Sequence, residues 1–329
     1  MASWRDPLNS PHAEQGEGRV GHIFTRSLCC RSPRKEYHTR KGELKSVIHW
    51  GQRKLLLSEI EFLLIADEPD AVVIYAGAAP GTHVQVLSEF FQGIHFILVD
   101  PAPFTVKPSR NITLIRALFT NRLAKQLRKQ HATRPILFIS DVRTGERGLD
   151  TDEVVETRVE TDMKAQAQWH RIIAPEKSML KFRLPYTAGR TRYLDGDLRL
   201  PVWGPITTTE CRLIVGTDAE SRVYDHTQHE EQMFFFNTVV RGSLYEHGVT
   251  GVEGLDYCYD CRAEVCILKR FATKYCRGNI NHRIRELSDH ITASLSKHRT
   301  LASPNPEPGQ RSRVIRRNQW IRGRPAYRS

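Results

Sequence analysis

Two lysines and two carboxylates, Lys54, Asp141, Lys181 and Glu210, make the strongest chemical suggestion in this chain of 329 residues. Lys54 falls near the start of a helical pattern, where the helix dipole disfavours a cation. The other three stand in or beside apolar, strand-like runs. Brought together, such a set suits methyl transfer to a ribose 2′-hydroxyl. That hydroxyl is a poor nucleophile at neutral pH, and a nearby amine can take or orient its proton. For Lys181 to act as a base, part of it must be neutral, which calls for desolvation and a neighbouring cation such as Lys54. The carboxylates would position the amine, and Asp141 would also attract a sulfonium centre. What remains is alignment of hydroxyl, methyl and sulfur for in-line displacement. A chain of this length offers many accidental quartets, and a plain surface lysine is the alternative for Lys54.

Those residues need a scaffold, and Ala71–Asp100, AVVIYAGAAPGTHVQVLSEFFQGIHFILVD, supplies its centre. A run of small and branched apolar residues enters a glycine-bearing turn at Gly77–Gly81. A helix-compatible stretch follows, and a second apolar run ends on Asp100. The pattern is strand, turn, helix, strand, with its chemistry at the carboxyl ends of both strands. Neither GxGxxG nor GxxxxGK[ST] is present. A close backbone approach beside an acid able to hold a ribose diol suits a cofactor without a pyrophosphate, such as S-adenosylmethionine. Any other doubly wound α/β domain fits the same unit.

Around it the remaining elements can be read in order. Gly51–Ala66 is the first clear helix, with apolar residues at three- and four-residue spacing. Ile112–Ile115 reads as a strand, Thr120–Gln130 as a basic helix, Ile136–Ser140 as a strand ending on Asp141, and Asp150–Ile173 as a long crossover helix. Ser178–Pro185 is a strand in which Lys181 faces away from Leu180 and Phe182. The following segment, YTAGRTRYLDGDLRLPVWGPI, reads as a long substrate-side loop. A strand at Thr209–Val215 carries Glu210 near its start, and His226–Arg241 and Asn279–Leu295 read as helices. Alternation in VCILKRF suggests one more strand. Cys258-x2-Cys261 resembles a zinc half-site, but its partners would lie at untypical spacing, so buried or semi-buried thiols are expected and no metal.

With 40% hydrophobic residues the chain can bury a sizeable core, and a formal charge of +12 favours polyanionic partners. No apolar run is long enough to span a membrane, and the first residues lack the apolar core of a secretory signal. Seven cysteines in a chain this long suit a reducing compartment better than a disulfide framework. We divide it into a basic, weakly structured arm (1–45), a catalytic domain (46–298) and an arginine-rich tail (299–329). The tail holds seven arginines between 311 and 328, with Trp320 and Tyr327 available to stack on bases, and reads as disordered when free and RNA-contacting.

Six stretches in order, GQRKLLLSE, YAGAAPGTH, ILFISDVR, SMLKFRLPY, TTTECRL and EEQMFFFN, make the chain resemble the poxvirus-type cap-specific mRNA (nucleoside-2′-O-)-methyltransferase family. In poxviruses that family doubles as the small, stimulatory subunit of poly(A) polymerase, and related enzymes in kinetoplastids modify the spliced-leader cap. The resemblance runs from about Gly51 to Phe271. It implies a Rossmann-like, S-adenosylmethionine-dependent methyltransferase fold with a mostly parallel sheet and helices on both faces. It implies Lys54, Asp141, Lys181 and Glu210 as a catalytic tetrad, with Lys181 nearest the 2′-hydroxyl. Gln52, Tyr75, Gly77, Gly81, His83 and Asp100 match the cofactor pocket. Tyr186 falls where the family stacks an aromatic on 7-methylguanine, Glu230 where a carboxylate reads that base, and Arg183 lies beside them for RNA contact.

Three positions depart from the pattern. Thr207 replaces a tyrosine of the cap sandwich, Ala188 an acid near the stacking aromatic, and Ala102 an arginine after the ribose-binding acid. Trp203, or Tyr37 from the arm, could supply the missing ring. The enzyme expected from this is a cap-related RNA ribose 2′-O-methyltransferase, acting on a cap-proximal nucleotide or an unusual cap. Capped RNA, including spliced-leader RNA, and a polymerase or capping-machinery subunit are the implied partners. The alternatives are a non-catalytic RNA-binding or polymerase-processivity subunit and a methyltransferase of uncapped RNA. A nuclear location is expected, or cytoplasmic if the protein is viral.

Overall fold

The apolar runs on either side of the glycine turn become neighbouring central strands of an eight-stranded sheet. The computed structural model describes residues 23–38, 51–144, 152–204, 208–252, 255 and 257–296. Thr207, Trp320, Tyr327 and the 299–329 tail therefore lie outside the described residues. The first half comprises β1 (Ser27–Leu28), α1 (Gly51–Ala66), β2 (Val72–Ala76), α2 (Thr82–Phe90), β3 (His95–Val99), β4 (Ile112–Ile115), α3 (Asn121–Gln130) and β5 (Ile136–Ser140). The second comprises α4 (Asp152–Ile173), β6 (Lys177–Phe182), β7 (Arg190–Leu194), β8 (Asp197–Arg199), β9 (Cys211–Gly216), β10 (Ser221–Asp225), α5 (His226–Phe235), a π-helical turn (Phe236–Val240), α6 (Tyr259–Tyr275) and α7 (Ile280–Ser296).

The sheet runs β1-β8-β9-β6-β5-β2-β3-β4. Strands β6, β5, β2, β3 and β4 are parallel, while β9, β8 and β1 continue it antiparallel. Every residue of β2 and β5 is buried, so both sheet faces are covered, which is why these strands are continuous apolar runs without alternation. Helices α1, α2, α6 and α7 pack on one another as one group, and α3 packs on α4 as another. The fold is a doubly wound α/β domain. From β2 the chain steps outward to β3 and β4, then returns to β5 on the other side of β2. That reversal opens a crevice at the carboxyl ends of β2 and β5, where such sheets bind ligands.

Gly77 closes the end of β2 with a left-handed φ of 78°. A Cβ there would lie 2.8 Å from Val142 N and 2.9 Å from Asp141 C, so only glycine lets the β2 turn lie against the end of β5. The amide of Asp141 donates to Ala76 O at 3.0 Å, tying the two strand ends together.

Three expectations are corrected. VCILKRF belongs to α6 and not to a strand. Its helical period was hidden because Asp260 and Glu264, both 0% exposed, stand on the buried side among Cys261, Val265 and Leu268. They are neutralised by Arg241 and Arg53. The long segment after Tyr186 is partly ordered as well: β7 pairs with β10 in a two-stranded ribbon, and β8 enters the main sheet. Part of the amino-terminal arm also belongs to the body. Leu28 is buried, β1 pairs with β8, and Arg26 donates to Glu61 at 2.8 and 3.3 Å. Cys258 caps α6 through its sulfur, which accepts from Cys261 N at 3.4 Å. Among the described residues no group of three or more His, Cys, Asp or Glu side chains could hold a metal ion, and no helix is long and apolar enough to cross a membrane.

Gly77→Ala should lower stability by about 1–3 kcal/mol, through strain at positive φ and the clash with the β5 end. A denaturant midpoint unchanged from wild type would contradict this placement.

Candidate active site

Three adjacent strands deliver the charged residues to one edge. Asp141 follows β5, Lys181 lies near the end of β6, and Glu210 directly precedes β9, the antiparallel neighbour of β6. Lys54 reaches them from the first turn of α1. Lys181 Nζ lies 2.9 Å from Asp141 Oδ1 and 3.8 Å from Glu210 Oε2, and Lys54 Nζ donates to Glu210 Oε1 at 2.9 Å. The structure therefore brings all four expected residues together.

It also adds two cations that sequence reasoning missed. Arg212 Nη2 stands 2.8 Å from Asp141 Oδ1 and 3.5 Å from Glu210 Oε1, and Arg143 Nη2 donates to Glu210 Oε2 at 3.0 Å. The Arg212 contacts are ion pairs without hydrogen-bond alignment. A signal existed: Arg212 and Arg143 each follow a tetrad carboxylate by two residues, the interval that returns an extended chain to the same side. Arg143 is steadied by its neighbour Thr144, whose amide and hydroxyl donate to Asp162 at 2.9 and 2.8 Å.

Four cations around two carboxylates set the ionisation. Burial would raise Asp141, but Lys181 and Arg212 outweigh it and hold the carboxyl below its usual range. The same contest leaves Glu210 well below its usual range, through Lys54, Lys181, Arg212 and Arg143. Lys181 is lowered, first by burial, against the raising pull of Asp141 and Glu210, with Arg212 and Arg143 adding to the depression. The expectation that Lys54 would press on Lys181 is thus corrected: Lys54 is bonded to Glu210, and the two arginines do the pressing.

On the β2 and β3 side, Asp100 is half-buried, and its carboxylate accepts Ala79 N at 3.1 Å and Ala102 N at 2.8 Å. Gly81, at φ 72°, leads into α2, and a Cβ there would lie 2.8 Å from Val106. Together with Gly77 it leaves a turn whose backbone a ligand can approach closely. Half-buried Gln52 borders the same turn, its Oε1 accepting from His83 N at 3.2 Å. Tyr75 and His83 are each 1% exposed and lie beneath the crevice instead of lining it. Buried Glu59, also missed from sequence, organises them: it accepts from Tyr75 Oη at 2.8 Å and lies 2.9 Å from His83 Nε2. His83 Nδ1 in turn meets Gln52 Oε1 at 2.8 Å, so His83, held by Glu59, fixes Gln52 from below.

The residues expected at the base pocket divide. Tyr186 is half-buried, and its hydroxyl accepts from Thr209 Oγ1 at 3.2 Å, one residue before Glu210. The Arg183 guanidinium backs the Tyr186 ring at 4.6 Å and donates to Glu156 at 2.7 Å. Arg183 is only 3% exposed, so it supports the aromatic and is not an open RNA contact. Half-buried Glu230 stands on α5, one turn before Phe234, whose ring meets Tyr37 edge-on at 5.3 Å. Trp203 is 2% exposed, and its indole N–H donates to buried Glu264 at 2.8 Å. It is a core residue and leaves Tyr37 as the candidate second ring. Ala188 is exposed.

Because both tetrad carboxyls ionise more easily folded than unfolded, their stabilisation is present above the unfolded value of about 4 and is lost as pH falls through the folded values. Glu210→Gln should therefore melt below wild type at neutral pH, with the gap narrowing below about pH 4. A gap in melting temperature that stays constant from neutral to strongly acid conditions would contradict the cluster's charge balance.

Comparison with known proteins bears on this arrangement. A cap-specific mRNA (nucleoside-2′-O-)-methyltransferase of Myxoma virus (strain Lausanne) is 26% identical over 221 residues, covering 61% of this chain and 64% of the relative. One from Fowlpox virus (strain NVSL) is 28% identical over 222 residues, covering 59% and 68%. The match thus spans about two thirds of these relatives' length. Among solved structures, the RNA-capping protein VP4 of bluetongue virus aligns with a TM-score of 0.41 at 12% identity, covering 72% of this chain and 41% of that one. A ribosomal RNA methyltransferase from Plasmodium falciparum aligns at 0.34 and 13%, covering 51% and 96%. A family model described as "Poly A polymerase regulatory subunit" matches residues 31–295, and the chain belongs to that family.

Proposed function

We propose that this chain is an S-adenosylmethionine-dependent ribose 2′-O-methyltransferase acting on capped RNA at a cap-proximal nucleotide. The observation that carries the proposal is the Lys181 amine, held 2.9 Å from Asp141 among two carboxylates and three further cations at the carboxyl edge of the switch crevice. The viral relatives above support it, because proteins named as cap-specific methyltransferases share its sequence pattern.

The cofactor would supply an electrophilic methyl group on a positive sulfonium centre. Gly77 and Gly81 leave it room at the backbone, Asp100 offers carboxylate oxygens to a diol, and Gln52 offers an amide held by His83. Lys181 orients the 2′-hydroxyl or takes its proton. Its lowered ionisation increases the neutral fraction available for that task. Asp141 and Glu210 aim the amine, and Lys54, Arg212 and Arg143 keep those carboxylates anionic and in place. Tyr186 offers its ring to the cap base, Tyr37 the second ring, and Glu230 a carboxylate for the guanine edge. Trp203 has no part in this pocket.

A second reading, a polymerase-stimulating RNA-binding subunit, is favoured by the family description and by Ala102 and Ala188 at positions expected to be charged. The two roles can reside in one chain. A nuclear site of action is part of the first proposal, motivated by the arginine-rich 311–328 segment.

With labelled S-adenosylmethionine and a defined capped transcript, wild type should incorporate methyl groups, and Lys181→Ala should lose about 10²–10⁴-fold in rate. The wild-type rate should rise with pH along a limb below the free lysine value of about 10.4. Turnover that survives Lys181→Ala would remove its assigned role, and equal rates on capped and uncapped transcripts would remove the cap from recognition. Tight RNA binding with no calorimetric cofactor binding would favour the non-catalytic reading.

A further inference from the structure

Lys181 stands one residue past the end of the strand that should flank it. Leu180 still pairs with Ser140 of β5, but the next residue, Asp141, turns its amide to Ala76 of β2. The main-chain N–H and C=O of Lys181 are thereby left on a strand edge with no strand beside it. Such groups are costly when orphaned.

Gln166 fills the place of the missing strand. It comes from α4, is 1% exposed, and is used by no step described so far. Its Oε1 accepts from Lys181 N at 3.2 Å, and its Nε2 donates to Lys181 O at 3.2 Å. A primary amide presents the donor and acceptor of one peptide unit, which is what a vanished strand would have offered. Asparagine would be a methylene short, and glutamate would set a carboxylate against the carbonyl of Lys181.

The consequence reaches the reacting group. In a strand the N–H and C=O of one residue point to the same side, so with both on Gln166, Lys181 faces its β9 partner Arg212 as a non-hydrogen-bonded pair. That is the closer of the two antiparallel pairings. It sets the two side chains next to each other, and both meet Asp141 Oδ1, at 2.9 and 2.8 Å.

We propose that Gln166 is a positioning residue for methyl transfer: by replacing the missing β5 backbone, its side-chain amide fixes the main chain of Lys181 and so the aim of the amine between Asp141 and Arg212. This rests on the reading of Lys181 as the residue that acts on the hydroxyl. Loosening the main chain would let the amine reach water and lose its alignment, without touching either binding pocket.

The test uses the full chain, labelled S-adenosylmethionine and a capped transcript, with Gln166→Leu, Gln166→Glu, Lys181→Ala and a structural control, His170→Ala. His170 lies on the same helix, is 1% exposed, and meets Ser178 Oγ at 2.7 Å on the same strand. Gln166→Leu should lower kcat about tenfold or more, leave both KM values within about twofold, and move the rising limb of the pH–rate profile upward. Gln166→Glu, which keeps the acceptor and loses the donor, should share this pattern. His170→Ala should lower the melting temperature comparably and leave the pH limb where it is. If Gln166→Leu loses melting temperature but keeps the kcat and pH limb seen for His170→Ala, Gln166 is a packing residue and the proposal is overturned. A dead Lys181→Ala beside such a result overturns this inference alone, whereas an active Lys181→Ala overturns the parent reading.

Discussion

The ion pair between Lys181 and Asp141 is the contact on which the rest of the structure converges. A buried amine next to a buried carboxylate would by itself settle as a tight, inert pair, with the carboxylate raising the lysine's affinity for its proton. Arg212 changes that by taking the same Asp141 oxygen, and Arg143 and Lys54 do likewise at Glu210. Each carboxylate is shared between cations, so neither belongs wholly to Lys181. Burial then outweighs the attraction that remains, and the lysine ends with a lowered ionisation. The cluster holds an amine in place without fully stabilising its charge, which is the state useful for handling a hydroxyl proton.

Holding such a cluster needs scaffolding on every side. The sheet gives the order β2, β5, β6, β9, so that Gly77, Asp141, Lys181 and Glu210 come from consecutive strand ends. Helix α5 ties the loop after Tyr186 to the cluster. His226 meets Thr187 O at 2.7 Å in the loop after Tyr186, and His229, one turn later, meets Thr209 O at 2.9 Å beside Glu210. Burial pushes the His229 imidazole down to about 4, so it stays neutral while donating to that carbonyl. The other side of α5 carries the amino-terminal strap, through Gln228 to Cys30 O at 3.0 Å and Gln232 to Cys29 O at 2.9 Å. The strap brings Tyr37 to Phe234, so the two rings proposed for the cap base are both tied to one helix.

Much of this was legible in sequence where a residue's own neighbours decide its fate. Lys54, Asp141, Lys181 and Glu210 interrupt or end apolar runs, and charges in such places have to be explained. The parallel strands were legible for the same reason, as unbroken Val, Ile and Leu runs. What stayed hidden depends on partners far along the chain. Asp260 and Glu264 broke the helical period of α6 because their cations, Arg241 and Arg53, come from other elements. Trp203, amid prolines and a glycine, reads as an exposed ring, yet the same Glu264 draws its indole into the core. Tyr75 and His83 are expected at the cofactor pocket, and nothing in the sequence signals their buried bonds to Glu59 and Gln52. Arg212 and Arg143 acquire a role only through the sheet order, which places them against the carboxylates.

The most direct measurement is mass spectrometry of nucleosides released from a defined capped RNA after incubation with the protein and S-adenosylmethionine. The expected product carries one added methyl group on the 2′-oxygen of a cap-proximal ribose. A methyl group found on a base, or no methyl group at all under conditions where the cofactor is bound, would contradict the assignment of the Lys181 cluster to ribose methylation.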